Sequence, residues 1–425
     1  MGRPKGQGAQ TASNYDYLLI FAVVLLLVIG LWMVYSVTEF QKAGGYDDSE
    51  AEGGLFGSRF LTQVIASLIG IVSAFALARI EYHSWRRYSI PIMLLTLLFL
   101  GAVLVFGDKE NGALSWFLNG SIQPSEAAKL AMIMYVAHWL SSKGDRIQRL
   151  TYGLLPFTVI LAAITGLILA QNDFGTAALV ALTALAMFFI AGGAIGQLVL
   201  VAVGAGTAAI VAVATVAHRM ERVVSFVTFD ATGPLNPGGD LYQLKQGLLA
   251  LSLGGVSGRG LGDSIQKMGW IPAAHTDSIF AVLGEEMGLI GCLVVLGLFA
   301  VVAYRGFSIA LRATDQYGTL LAAGVTCSLL FQALVNIGVV TATIPTTGVP
   351  LPFISYGGSS LAVSLASIGL LLSVSRRTLP EPEKEEPAQP TLKESHAYHE
   401  TYDLGRRHGR ARLSRSDRRR LVNKR

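Results

Sequence analysis

Long apolar runs alternate with short polar segments along the whole chain, and this alternation predicts a polytopic membrane protein. A helix needs about 20 apolar residues to cross a bilayer. Ten runs in the sequence approach that length. They cover residues 17–37, 60–79, 88–106, 124–141, 153–170, 176–192, 196–217, 278–304, 317–340 and 359–375. We therefore expect an all-α fold of about ten transmembrane helices.

Composition agrees with this interpretation, because 52% of the 425 residues are hydrophobic, 14% are charged and the mean hydropathy is +0.52. The first run is longer than the apolar core of a signal peptide and no small-residue cleavage site follows it, so we expect it to be retained. Cys292 and Cys327 both fall in apolar runs, which indicates buried free thiols.

Lysine and arginine concentrate in alternate connections, which the positive-inside rule assigns to the cytoplasm. Both termini then lie inside, as a segment 1–16 and a tail 378–425 that flank the transmembrane domain 17–377. The tail begins with proline and glutamate, and its last twenty residues hold ten lysines and arginines. We expect it to be disordered and drawn to anionic membrane lipids. It lacks interleaved aromatic residues, so binding to nucleic acid is not expected.

Two segments on the predicted outer side are unusual. The connection 218–277 is long, and within it residues 242–253 form a helical pattern too short to span a bilayer, typical of a half-buried or surface-lying helix. The glycine-dense run 254–262 permits tight turns and close backbone approach. The uncharged segment 341–360 holds three prolines and three glycines, and irregular backbone at membrane depth must line protein or a cavity.

Asp277 lies where the long outer connection meets the next apolar helix, directly after His275 and Thr276. A carboxylate at the rim of a low-dielectric region is a candidate general base. From the residues alone, an equally weighted alternative is that Asp277 caps the helix. His275 is expected to orient its neighbour or cap the turn, although a histidine here is also a candidate base.

The helix after Asp277 carries both small and acidic residues. Small side chains on one face predict that another helix approaches closely there. They are Ala281, Gly284, Gly288 and Gly291. Glu285 and Glu286 lie about two turns in, where charge is costly. We favour a structural ion pair or a protonated, hydrogen-bonded carboxyl for these two over a catalytic role.

Four motifs resemble the SEDS proteins of bacterial cell division, elongation and sporulation. They are PLPFISYGGSS at 350–360, HTDSIFAVLGEE at 275–286, QPSEAAK at 123–129 and NPGGDLYQ at 236–243. The resemblance runs from the first span to Arg377 and is strongest to the division branch, with the elongation branch next.

The resemblance implies a peptidoglycan glycosyltransferase in the bacterial cytoplasmic membrane, acting at the division septum. It would polymerise lipid II on the outer face, beside a class B penicillin-binding transpeptidase and other divisome proteins. Asp277 becomes the presumed general base. Residues expected to contact the lipid-linked substrate are Glu126, Lys129, Lys245, Arg259, His275, Thr276, Ser355, Tyr356 and Ser359.

Glu126 and Lys129 are three residues apart and share a helix face, so they form a buried ion pair or line the cavity together, with Lys129 meeting the diphosphate. Further positive charge for a diphosphate could come from a divalent cation, Mg²⁺ or Mn²⁺. It could also come from outer-side residues whose default reading is solvated loop charge: Arg219, Arg222, Lys245, Arg259 and Lys267. Asp173 and Asp240 are weak candidate metal ligands.

Three positions depart from the family pattern. Asn172 stands where a proline is common, Ala342 where a glycine is usual and Ser278 where an aromatic residue is more usual. None of these changes removes an ionisable group. Other functions remain open from the sequence: a lipid II flippase or transporter, a non-catalytic divisome scaffold, and an elongation-type polymerase.

Overall fold

The computed structural model describes residues 15–43, 59–110, 113–116, 123–214 and 240–377, with a short stretch at 224–229 that omits residue 225. The basic tail, most of the predicted segment 1–16, Arg219 and Arg222 lie outside the described residues. What the sequence predicts for these residues stays a prediction.

Helices dominate the described part of the chain. They are α1 (Tyr17–Ala43), α2 (Arg59–Arg79), α3 (Tyr82–Phe106), α4 (Pro124–Ser141), α5 (Leu155–Ala170), α6 (Phe174–Ile190), α7 (Ile195–Ala214), α8 (Asp240–Gly254), α9 (Ile279–Leu311), α10 (Gln316–Val340) and α11 (Gly358–Ser375). A 3₁₀ turn (Gly144–Gln148) and a π turn (Leu150–Leu154) precede α5. A small antiparallel hairpin joins α3 to α4 through β1 (Asp108–Glu110) and β2 (Ala113–Trp116).

The predicted pattern of elements is confirmed at the level of fold class. Each of the ten predicted spans coincides with a helix, and α8 is the predicted short helix. Seven helical segments among the described residues are long and apolar enough to cross a membrane. The full count of ten spans and their orientation stay predictions.

Two predicted boundaries are wrong. The helix α3 begins at Tyr82, six residues before the predicted span, and α9 continues to Leu311. Both extensions contain arginines, Arg86 and Arg305 among them. A charged residue lowers the local hydropathy and so ends a predicted span. Arginine is nevertheless a good helix former, so the helix extends beyond the apolar run.

The helices α10 and α11 form the centre of the bundle. In each of these two helices, 72% of the most apolar 18-residue stretch is buried, whereas the share is 22% in α2 and in α3. The helix α11 crosses α2 closely, because a Cβ at Gly369 would overlap the carbonyl of Ala74. The central helices therefore position the groups described below.

Ala342 has a φ of +54°, the left-handed conformation that favours glycine. It lies just after the end of α10, where its N–H donates to the Val339 carbonyl and the Thr343 N–H donates to the Gly338 carbonyl. Helices commonly end with a left-handed glycine at this position. The alanine found here therefore carries backbone strain.

Ala342→Gly should stabilise the protein. Removing the strain of a left-handed alanine stabilises the folded state by about 1–2 kcal/mol. The larger backbone entropy of glycine in the unfolded chain offsets about 0.5–1 kcal/mol of that gain. We expect a higher unfolding midpoint in detergent. Ala333→Gly, within α10, is the matched control and should lower stability by about 1 kcal/mol. An unchanged or lower midpoint for Ala342→Gly would contradict the strain.

Candidate active site

Asp277 lies two residues before the start of α9, and its side chain is half-buried. The N-cap of α9 is Ser278, and it makes no side-chain capping bond. The proposal that Asp277 caps this helix is therefore wrong. Its carboxylate instead faces the segment 341–360, because a Cβ placed at Gly348 would lie 3.7 Å from Asp277 Oδ2.

The backbone before Asp277 is held by the segment 341–360. The Tyr356 N–H donates to the His275 carbonyl at 2.8 Å, and Ser355 Oγ donates to the Thr276 carbonyl at 2.7 Å. The His275 and Tyr356 rings meet edge to face, with centroids 5.5 Å apart. The structure therefore brings together four of the predicted site residues beside Asp277.

Asn336, in the buried helix α10, holds Asp277 itself. Its Nδ2 donates to the Asp277 carbonyl at 2.9 Å and to the Val349 carbonyl at 2.8 Å. One amide group thus ties Asp277 to the segment that faces its carboxylate.

Gln332 lies one turn before Asn336 and connects a second pair of predicted residues. Lys129 Nζ is 2.8 Å from Glu126 Oε2 and donates to Gln332 Oε1 at 2.8 Å. Gln332 Nε2 in turn donates to the Pro350 carbonyl at 3.0 Å. The predicted Glu126–Lys129 ion pair is present, and Lys129 is largely committed to these two partners.

The two amides of α10 were missed in the sequence. Gln332 and Asn336 are four residues apart in an otherwise apolar span, so they share one helix face. Polar residues inside a membrane helix usually face the bundle interior and make specific bonds. That spacing was the available signal.

Burial shapes the electrostatics of the two loop aspartates. Desolvation raises the pKa of Asp277 to about 6, although a hydrogen bond with Thr276 opposes the rise. Burial also raises the pKa of Asp173. Its Oδ1 accepts from the Thr176 N–H at 3.0 Å as the N-cap of α6, and its Oδ2 accepts from Ser125 Oγ at 3.2 Å. Asp173 therefore acts as a structural cap.

The sequence was compared with known proteins. A model of the cell cycle protein family that groups FtsW, RodA and SpoVE, the SEDS proteins, matches residues 17–379. The probable peptidoglycan glycosyltransferase FtsW of Trichlorobacter lovleyi is 38% identical over 368 residues, which cover 85% of this chain and 93% of that protein. The chain belongs to the SEDS family.

Two further relationships extend this result. The stage V sporulation protein E of Bacillus subtilis is 39% identical over 365 residues, covering 85% of this chain and 97% of that protein. A solved structure on the coordination of polymerization and crosslinking by a peptidoglycan synthase complex contains a similar chain. That chain has a TM-score of 0.67 and 28% identity, with 86% of this chain and 99% of that chain covered. The resemblance inferred from four motifs is confirmed.

Glu285 and Glu286 have structural roles in this SEDS chain. Both are buried, and Glu285 accepts from Ser264 Oγ and from the N–H groups of Ile265 and Gln266. Lys267 Nζ lies 2.8 Å from Glu286 Oε1. The favoured reading of the two glutamates is supported.

Lys267 was read by default as a solvated loop charge, and that reading is wrong. Its side chain is fully buried, because the loop folds back against α9 and the Glu286 carboxylate compensates the charge. Two further predicted cations are among the described residues. Lys245 is in α8, and Arg259 Nε is 3.9 Å from Glu285 Oε1 with its side chain 37% exposed. Ser359 is the second residue of α11 and is half-buried.

Metal binding was left open by the sequence. Among the residues that the structure describes, no group of three or more His, Cys, Asp or Glu side chains is arranged to hold an ion. The described side chains therefore supply no complete ligand set for Mg²⁺ or Mn²⁺ by themselves.

The predicted close approach to the small face of α9 is present at Gly284, where the partner is a helix, and at Gly288, where a Cβ would overlap the backbone of residues 256–258. A Cβ at Gly284 would overlap the Leu251 side chain, and one at Gly254 would overlap the Gly284 carbonyl, so α8 and α9 touch closely. Gly288 departs from helical geometry, with φ 65° and ψ −166°. The helix bends there, and the face does not continue to Gly291.

Gly284→Leu should disrupt the contact between α8 and α9 next to the site. Overpacking typically costs about 1–3 kcal/mol, and we expect a lower unfolding midpoint in detergent. Gly297→Leu on the same helix is the matched control, because a Cβ at Gly297 meets nothing within 4 Å. Equal midpoints for the two variants would show that the close approach does not constrain residue 284.

Proposed function

We propose that the chain is a peptidoglycan glycosyltransferase that polymerises lipid II on the outer face of the bacterial cytoplasmic membrane. The observation that carries the proposal is the Asp277 carboxylate, half-buried at the start of α9, with its backbone fixed by Asn336 and the preceding carbonyls fixed by Ser355 and Tyr356. Membership of the SEDS family and the FtsW relative support the reaction class.

In the proposed reaction, the 4-hydroxyl of the acceptor sugar attacks the anomeric carbon of the donor. The new bond joins the acceptor oxygen to that carbon, while the bond from the carbon to the diphosphate oxygen breaks. The hydroxyl proton moves to an oxygen of Asp277, and polyprenyl diphosphate leaves with the bonding electrons. Direct displacement inverts the anomeric configuration. A positioned base of this kind typically contributes about 10²- to 10⁴-fold in rate.

The pKa of Asp277 suits this role. Raised by desolvation to about 6, the group is still mostly ionised at neutral pH. Its higher pKa makes it a stronger base than an ordinary aspartate. General base catalysis becomes more efficient as the pKa of the base approaches the working pH. Hydrogen bonds to the carbonyls of His275, Thr276 and Asp277 fix the backbone that carries this carboxylate.

Charge on the diphosphate needs a compensating cation. We propose Arg259 as this cation. Its side chain is partly exposed, and its ion pair with Glu285 is long, with Nε 3.9 Å from Oε1, so the guanidinium group can also bind a phosphate. Lys129 is bound to Glu126 and Gln332, so we assign it mainly to holding the wall at Pro350. A divalent ion would need substrate oxygens to complete its ligand shell, and no step here depends on one.

A partner and a location follow as further parts of the proposal. A similar chain lies in a peptidoglycan synthase complex that coordinates polymerization and crosslinking. We propose that this chain likewise works with a crosslinking enzyme, a class B penicillin-binding transpeptidase, at the division septum.

Asp277→Asn should abolish glycan synthesis, because asparagine keeps the shape and removes the proton acceptor. We expect a loss of about 10²- to 10⁴-fold in polymer formed from lipid II by the purified chain with its transpeptidase. Asp263→Asn, an exposed aspartate of the same outer connection, is the matched control and should retain activity. Equal polymer from wild type and Asp277→Asn would refute Asp277 as the base.

The pH dependence of polymerisation should report Asp277. Below a pH of about 6 the carboxylate is protonated and cannot accept the hydroxyl proton, so the rate should fall on the acid side of that value. Thr276→Val removes a hydrogen bond that lowers the pKa of Asp277. The acid limb should then move to higher pH, measured by initial rates at saturating lipid II. A limb that stays in place would exclude Thr276 from tuning the base.

A further inference from the structure

Two polar networks join α1 to α9 at different levels. At one end, Arg305 Nη2 lies 2.7 Å from Asp16 Oδ2, next to the first residue of α1. At the other end, Ser36 Oγ donates to Glu286 Oε1 at 2.7 Å, and Lys267 Nζ lies 2.8 Å from both groups. Between the two networks these helices are almost wholly apolar.

The separation of the two networks matches a bilayer. Asp16 and Ser36, and likewise Glu286 and Arg305, are about 20 residues apart, which at 1.5 Å per residue is about 30 Å along each helix. The hydrocarbon core of a bilayer is also about 30 Å thick, and charge inside it is costly. The inner and outer networks therefore mark the two edges of the hydrocarbon core.

The outer connection reaches down to the outer of these edges. Residues 255–260 bond to α9 at the level of Glu285 and Glu286: the Arg259 N–H donates to the Glu285 carbonyl at 3.0 Å, and the Gly260 N–H donates to the Glu286 carbonyl at 3.1 Å. Further along, the Leu289 N–H donates to the Gly255 carbonyl at 3.0 Å. Irregular backbone at membrane depth needs such internal partners.

The exposed surface of this region carries both apolar and polar side chains. Six large apolar side chains are between 38% and 66% exposed, although the region belongs to the predicted outer connection 218–277. They are Leu249, Leu253, Val256, Leu261, Ile265 and Trp270. Among them lie exposed polar residues, including Ser257, Arg259 and Asp263. Apolar groups with an aromatic residue and a few charges are typical of a surface in the membrane interface.

We propose that α8 and residues 255–270 form a lipid-binding plate, which inserts its apolar side chains into the outer leaflet at the edge of the hydrocarbon core. The occupant is phospholipid of the surrounding membrane. The first residue of α9 then lies about 9 Å above that edge, since six residues separate Ile279 from Glu285. Asp277 is thereby held in or just above the headgroup layer. The proposal concerns membrane contact and stands independently of the proposed reaction.

Site-directed spin labelling of the full chain tests the plate. Val256→Cys and Leu261→Cys are each labelled with a nitroxide and reconstituted into phosphatidylethanolamine and phosphatidylglycerol vesicles. Collision rates are measured with oxygen, which concentrates in hydrocarbon, and with a water-soluble nickel chelate. Asp263→Cys is the matched control within the plate. Labelling of the wild type measures the background from its own two cysteines, which are buried.

Labels at 256 and 261 should show a ratio of oxygen to nickel collisions severalfold higher than the label at 263. In detergent-free nanodiscs made with the same lipids the difference should persist. Nickel access at 256 and 261 equal to that at 263 would overturn the proposal, because the face would then lie in water. Low access to both reagents would overturn it too, because the face would then be covered by protein.

Discussion

Two amide side chains on one face of α10, one of the two central helices, hold the candidate functional region together. Asn336 bonds the carbonyl of Asp277 and that of Val349, while Gln332 joins Lys129 to the carbonyl of Pro350. Inside a low-dielectric bundle an unmade hydrogen bond costs about 1–3 kcal/mol. The pair therefore fixes the segment 341–360 against both α4 and the start of α9.

This arrangement explains how a chain that is mostly apolar can hold the carboxylate that we propose as the base. Asp277 is desolvated enough for its pKa to rise to about 6, yet its backbone is anchored by groups that are themselves buried. Two other buried carboxylates of the bundle have partners of their own. Glu126 is neutralised by Lys129, and Glu286 by Lys267, so each is occupied in structure.

The glycines around α9 determine how closely the outer connection can approach the bundle. A Cβ at Gly254 would overlap the Gly284 carbonyl, and one at Gly284 would overlap the Leu251 side chain. At Gly258 a Cβ would overlap the Glu286 carbonyl. The connection can therefore lie against α9 about two turns below its start. That depth places Lys267 and Arg259 beside the two glutamates and brings an amphipathic surface to the membrane edge.

The sequence by itself determined the helical membrane class, the positions of the apolar helices and, through four motifs, the family, because bilayer thickness and backbone hydrogen bonding leave few alternatives for such runs. It also indicated Asp277 as the candidate base, which stays a prediction, and the Glu126–Lys129 ion pair, which the structure contains. Only the tertiary structure decided that Asp277 is not a cap, that Lys267 is buried, and that Gln332 and Asn336 connect the site. Those facts depend on which side chains meet across helices far apart in sequence, and local periodicity carries no information about such contacts.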